Sequence, residues 1–98
     1  MKATNIINTR APLSENAFAE IVVWEVPKRV PGSSHDFKYS LAYVVNNVCV
    51  LRLDNEAGKG DHLHYGNTES AYHFVSTNAL LNDFYSYVTR WNDENGNA

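Results

Sequence analysis

The residues best suited to chemistry crowd into one segment, Asp54-Asn55-Glu56-Ala57-Gly58-Lys59-Gly60-Asp61-His62-Leu63-His64. Three carboxylates, two imidazoles and a lysine between two glycines share these eleven positions. Glycine lets the backbone approach a ligand closely, so the Gly58 and Gly60 amides and the Lys59 ammonium suit an anion. His62 and His64 point the same way if the stretch is extended. Histidine titrates at about 6.5 when unperturbed, within reach of neutral pH, which suits proton transfer. Three chemistries fit. The first is phosphodiester chemistry, with a histidine as general acid or base and Lys59 and Arg52 stabilising charge on phosphorus. The second is a metal site built from His62, His64 and one of Asp54, Glu56 or Asp61. The third is a pocket for a phosphate-bearing small molecule. A solvated hairpin loop with mutually satisfied charges uses the same residues without any function. The metal site ranks below the metal-free chemistry, because no third ligand has a diagnostic spacing and Lys59 would repel a cation. No cofactor is expected. Gly58-Lys59-Gly60-Asp61 also lacks the spacing of a P-loop.

The elements that must position this segment read as follows. Asn5 to Ala11 is a weak strand candidate, with a turn around Ser14-Glu15-Asn16. Phe18 to Val26, rich in β-branched and aromatic residues and stopped by Pro27, is a strong one. Pro31-Gly32-Ser33-Ser34 marks a loop. Phe37 to Val45 alternates with large apolar residues at its odd positions, and Asn46-Asn47 then suits a two-residue hairpin turn into Val48–Asp54. That turn pairs Val45 with Val48, Leu41 with Arg52 and Tyr39 with Asp54, so Tyr39, Arg52 and Asp54 share a face and Lys38 takes the other. A bulge would reverse the assignment, since a one-residue slip moves every side chain across the sheet. A hydrophilic connection, Asn55 to Ser70, precedes a short strand at Ala71–Val75. A helix follows, capped by Ser76 or Thr77, with Leu80, Leu81, Phe84, Tyr85, Val88 and Trp91 recurring at helical spacing. Packing on the core is the expected use of that stripe.

Other chemical side chains carry less. His35 beside a turn and His73 in a strand are expected to be structural or solvated. Tyr43 and Tyr72 could stack on a base, but tyrosines in strands mostly pack. No serine or threonine shows a nucleophile-elbow pattern, and Cys49 is expected to be a small buried hydrophobe without an activating base.

With 98 residues, 44% of them hydrophobic and 12% aromatic, the chain has the length and composition of one domain. The expected fold is α+β: an antiparallel meander sheet of four or five strands packed on one C-terminal helix. Residues 1–92 are expected to form the domain and residues 93–98 a disordered tail. A single cysteine fits a reducing compartment, no apolar stretch approaches the ~20 residues of a membrane span, and the first residues lack the apolar core of a secretory signal. The cytoplasm is the expected location. A formal charge of −3 counts against gripping duplex or ribosomal RNA through many phosphates, so nucleic-acid contact would be local, focused by a few cations.

Four runs carry a family resemblance. Phe18-Ala19-Glu20-Ile21-Val22-Val23-Trp24-Glu25-Val26-Pro27, Pro31-Gly32-Ser33-Ser34-His35, Lys38-Tyr39-Ser40-Leu41-Ala42 and Asp54-Asn55-Glu56-x-Gly58-Lys59-Gly60-Asp61-His62-x-His64 together resemble the TumE family, over nearly the whole chain to Trp91. That family comprises small toxin components of type II toxin–antitoxin systems. Asn46-Asn47 stands where an Asp-Gly-like turn would be expected, a departure that touches the hairpin alone. The resemblance implies a cognate DNA-binding antitoxin as partner. It points to Asp54, Asn55, Glu56, Gly58, Lys59, Gly60, Asp61, His62 and His64, with Arg52 and Lys38 as companions. Together the residues and the resemblance set the expectation of a toxin-like protein acting on RNA or a nucleotide. His62, His64, Lys59, Arg52 and Asp61 would be catalytic; Asp54, Asn55, Glu56, Gly58, Gly60, Tyr39 and Lys38 would bind. The alternatives are a non-catalytic interaction module or a binder of a phosphate ligand.

Overall fold

A computed structural model describes residues 2–96. Six strands lie in sequence order in one antiparallel sheet: β1 Thr4–Ser14, β2 Ala17–Glu25, β3 Phe37–Val45, β4 Val48–Glu56, β5 Gly60–Tyr65 and β6 Thr68–Ala71. One helix, α1, spans Thr77–Asn95. The α+β meander expected from the sequence is therefore present, with one strand more than the upper expectation.

Alternation builds the sheet's two faces. Ala19, Ile21 and Val23 of β2, Tyr39, Leu41 and Tyr43 of β3, and Leu51 and Leu53 of β4 are buried in one core on the face that carries α1. The helix rests on β4 and buries Leu80, Phe84 and Val88, one residue per turn. Leu81, Tyr87 and Trp91 flank them, whereas Tyr85, counted in the apolar stripe, is exposed. Ser76 is the N-cap and accepts the Ala79 N–H at 3.0 Å. Asp93 to Asn95, assigned to the tail, form the last helical turn, and Gly96 closes it in the left-handed conformation; Asn97 and Ala98 lie outside the described residues. Among the described residues the opposite face of the sheet carries no helix.

Three local expectations change. The hydrophilic connection from Asn55 to Ser70 contains β5 and β6, because Gly58 and Gly66 take positive φ and turn the chain back twice. The strand expected at Ala71–Val75 is a linker beyond Ala71; Tyr72 and Phe74 alternate inward because they pack on the core. Cys49 is exposed, not buried, since its partner Val44 belongs to the helix-free face.

The Asn46-Asn47 turn forms with φ of 50° and 66°, and Val45 pairs Val48 as expected. A bulge at Val50 then shifts the register, so that Tyr43 pairs Leu51, Leu41 pairs Leu53 and Ser40 pairs Asp54. Tyr39 thereby moves to the helix side, and Lys38 joins the face of Arg52 and Asp54. This reverses the sequence-based pairing through the slip that a bulge causes.

Candidate functional site

The period of two splits the Asp54–His64 segment between both faces of the sheet. On the helix-free face the ladders align two rows. One runs Val22, Ser40, Asp54, His62, Ala71, and the next runs Glu20, Ala42, Arg52, His64, Glu69. Side chains in adjacent rows on neighbouring strands meet. Arg52 Nε stands 3.5 Å from Asp54 Oδ2, and His64 Nε2 stands 3.5 Å from Asp54 Oδ1. Glu69 faces both imidazoles, 3.7 Å from His62 Nε2 and 3.9 Å from His64 Nδ1. The two rings lie 6.2 Å apart, centre to centre. Asp54 is 10% exposed while Arg52 is 44% exposed, so a buried carboxylate backs a solvent-facing guanidinium. Asp54 Oδ1 is buried and has no hydrogen-bond partner among the described residues. A buried carboxylate oxygen without a donor costs free energy, and an imidazole just outside bonding geometry is poised to satisfy it.

The helix side holds a different assembly around Asp61. Its carboxylate accepts from Ser33 Oγ at 2.6 Å, from Tyr39 Oη at 2.7 Å and from His35 Nε2 at 2.6 Å. His35 Nδ1 accepts the Phe37 N–H at 3.1 Å. The imidazole stacks on Phe74 at 3.8 Å. Burial pushes the Asp61 carboxyl up, but the hydrogen bonds from Ser33, Tyr39 and His35 and the charge of His35 outweigh it and hold the group below its ordinary value. Burial and then Asp61 push the Tyr39 phenol far above its ordinary value. Asn55, fully buried, completes the assembly. Its Oδ1 accepts the Tyr39 N–H at 3.0 Å, and its Nδ2 donates to Phe37 O at 2.7 Å and Ser33 Oγ at 3.2 Å. Lys38 Nζ donates to the Asn55 carbonyl.

The residues singled out from the sequence thus divide. Arg52, Asp54, His62 and His64 come together, and Lys38 and the exposed Glu56 lie on the same face nearer the β4–β5 turn. Asp61, Asn55 and Tyr39 face the helix side, where Asp61 cannot orient His62 or His64. Lys59 sits in the β4–β5 turn and lines a cleft of about 260 Å³ with Ser34, His35, Asp61, His73 and Phe74. Four residues separate the Glu56–Gly60 pair from the Arg52–His64 pair, ~13 Å along the strands, and Lys59 lines its cleft with Asp61 and not with Arg52. The glycines do not form an open anion nest either. Gly58 N–H donates to Pro31 O at 2.7 Å and Lys59 N–H to Glu56 O at 3.1 Å. Gly60 packs on Gly32, where an added Cβ would meet the Gly32 carbonyl oxygen at 2.8 Å.

Glu69 and Ser33 were not singled out as site residues, and His35 was expected only to be structural or solvated. Glu69 was legible in principle, because Gly66-Asn67 is a two-residue turn that sets His64 opposite Glu69. Ser33 and His35 carry no local signal, since their partner Asp61 is 28 and 26 residues away. Among the described residues no group of three or more His, Cys, Asp or Glu converges as metal ligands. No helix of the described residues is long and apolar enough to cross a membrane.

Compared with known proteins, residues 2–92 match the family model described as Toxin TumE. No curated protein and no solved structure matches the chain.

Proposed function

This chain belongs to the TumE toxin family, and from that premise we propose that it acts on RNA or a nucleotide by acid–base chemistry on the helix-free face. Membership implies an antitoxin partner in general; a DNA-binding antitoxin, in the cytoplasm, is the form proposed here. The carrying observation is the buried Asp54 carboxylate, set between Arg52 at 3.5 Å and His64 at 3.5 Å with one oxygen unbonded. Asp54 is suited to orient the His64 imidazole and to stabilise it when protonated. Arg52 is suited to the charge that develops on phosphorus. For an RNA substrate, one imidazole takes the 2′-hydroxyl proton as that oxygen bonds phosphorus. The other protonates the departing 5′-oxygen as its bond to phosphorus breaks. Lys59 and Asp61 lie outside this constellation, and the chemistry needs no metal.

Expression without an antitoxin should slow growth, and His64→Ala and Asp54→Asn should relieve it while keeping the wild-type circular dichroism spectrum. Purified protein should cleave RNA with a bell-shaped pH profile that His62→Ala reduces to one limb. Full toxicity in both folded variants would remove this face as the active site.

A second reading, a non-catalytic interaction module, draws on β1. This edge strand exposes Ile6 and Leu13 and leaves one row of backbone groups without a strand neighbour among the described residues. Such an edge can accept a partner's strand. A harmless wild type that cleaves nothing but holds its antitoxin would favour this reading.

A further inference from the structure

Next to the Asp54 row, the helix-free face carries a further row that the proposed chemistry does not use. Trp24 pairs Lys38 across β2 and β3, one row beyond Val22 and Ser40, and Ser40 is the cross-strand partner of Asp54. Trp24 is 37% exposed and makes no ring contact among the described residues. Beside it lies a mostly apolar depression of about 190 Å³, lined by Val22, Trp24, Lys38, Tyr39 and Ser40. Lys38 also borders a second depression of about 440 Å³, whose other walls are Lys28, Arg29, Val30, Pro31 and Ala57. Three of the chain's eight cations therefore surround one recess, in a molecule whose formal charge is −3.

These cations differ in how far they are engaged. Arg29 is bonded to Asp36 at 2.9 Å, with both side chains more than half exposed. Lys38 gives one of its three protons to the Asn55 carbonyl. Lys28 makes no ion pair among the described residues. An acidic protein that concentrates cations beside an exposed indole has the two features that hold a single strand: charge for the phosphates and a flat ring for a base.

We propose that Trp24 and Lys38, extended by Lys28 and Arg29, form a subsite for single-stranded RNA. One base stacks on the Trp24 indole, and the flanking phosphates run along Lys38 and Lys28. Adjacent rows lie ~7 Å apart and adjacent strands ~5 Å apart. A strand anchored at Trp24 therefore passes over Ser40, reaches Asp54 after ~12 Å and the His62 and His64 imidazoles after ~16–20 Å, so the phosphodiester brought to them lies a few nucleotides further on. The inference rests on the RNA reading above and adds to it the direction from which the substrate enters. Recognition by stacking is tolerant of sequence, so the subsite selects single strands over duplex and not one base over another.

The test uses the full chain carrying His64→Ala, so that a bound strand is not cut. Binding of a short fluorescein-labelled oligo(A) is followed by anisotropy at several salt concentrations. Adding Trp24→Ala should weaken binding about 5- to 150-fold, and Trp24→Phe should retain most of it, as expected of a stacking surface. Adding Lys28→Ala should reduce the slope of log affinity against log salt by about 0.7, the signature of one lost phosphate contact on a single strand. Unchanged affinity and slope in the well-folded Trp24→Ala and Lys28→Ala proteins would overturn the subsite and leave the RNA reading standing. No binding of oligo(A) by the parent protein would overturn both. Loss of antitoxin binding in Trp24→Ala, with oligo(A) affinity unchanged, would overturn the subsite in favour of a protein-docking surface.

Discussion

The Asp61 carboxylate collects hydrogen bonds from Ser33, Tyr39 and His35 within a mostly buried pocket. It thereby ties the β2–β3 loop to β3 and β5. Its proton equilibrium should be visible in folding. Because the folded protein holds this carboxyl below its ordinary value of 3.8, the stability it contributes is complete above that pH. The contribution is lost as the pH falls below 3.8 through the lowered value, since protonation then becomes costly to the native state. Urea melts between pH 2 and 6 should show Asp61→Asn less sensitive to acid than the wild type over that window. Equal acid sensitivity would show that Asp61 does not carry the linkage. His62, the next residue, leaves β5 on the other face and belongs to the proposed chemistry, so Asp61→Asn should spare the His62–His64 pair.

At the scale of elements, two junctions hold the site-bearing strands in place. The first is α1 on the sheet. Phe84 is fully buried at its centre, so Phe84→Ala should cost about 3–5 kcal/mol in urea unfolding. Tyr85→Ala, at an exposed position on the same helix, should stay within about 1 kcal/mol. Losses of similar size at the two positions would displace the helix from the core. The second junction is the contact of the β2–β3 loop with the β4–β5 hairpin. Gly32 and Gly60 both adopt positive φ, and each lies where a Cβ would press on the other's backbone. Gly60→Ala should therefore cost more in urea unfolding than the ~1–2 kcal/mol of left-handed strain alone, and Gly58→Ala, which faces open space, should cost the strain alone. Equal losses for both glycines would show that the loop does not dock on the hairpin.

Across the whole molecule, stability is distributed unevenly. β3 and β4 lie between neighbours on both sides, and their helix-side residues are among the most buried in the chain. β1 and β6 are edges with one neighbour each, and the four residues of β6 are all exposed. Native-state hydrogen exchange should rank the amides of β3 and β4 slowest, with β6 opening by local fluctuation. Slow exchange throughout β6 would indicate a covering partner. The proposed acid–base face spans this gradient: Arg52 and Asp54 belong to the rigid centre, and Glu69 belongs to the edge. Glu69 is therefore the member of the cluster whose position can change most when a ligand binds.

Much of this organisation was legible in the residues themselves. Alternating apolar positions from Phe37 to Val45, two consecutive asparagines able to take positive φ, and apolar residues at helical spacing from Leu80 are local patterns, and each produced its element. The Asp54–His64 segment was legible as a candidate for chemistry for the same reason, since residue types and spacing are properties of the chain alone. Which of those side chains meet was not. One extra residue at Val50 sent Tyr39 to the helix side and brought Lys38 to the face of Arg52 and Asp54. No local preference marks that bulge; it satisfies the burial of Tyr39, Leu41 and Leu53 on the core face of the sheet, a requirement imposed from across the sheet. His35 likewise became a partner of Asp61, 26 positions further along, only when the intervening chain folded back. The sequence by itself determined β2, β3, β4 and α1 and gathered the candidate residues into one segment, because propensity and periodicity act over a few residues. Tertiary structure decided the grouping of the site, because a face of a sheet is chosen by pairing partners and packing that lie far apart along the chain.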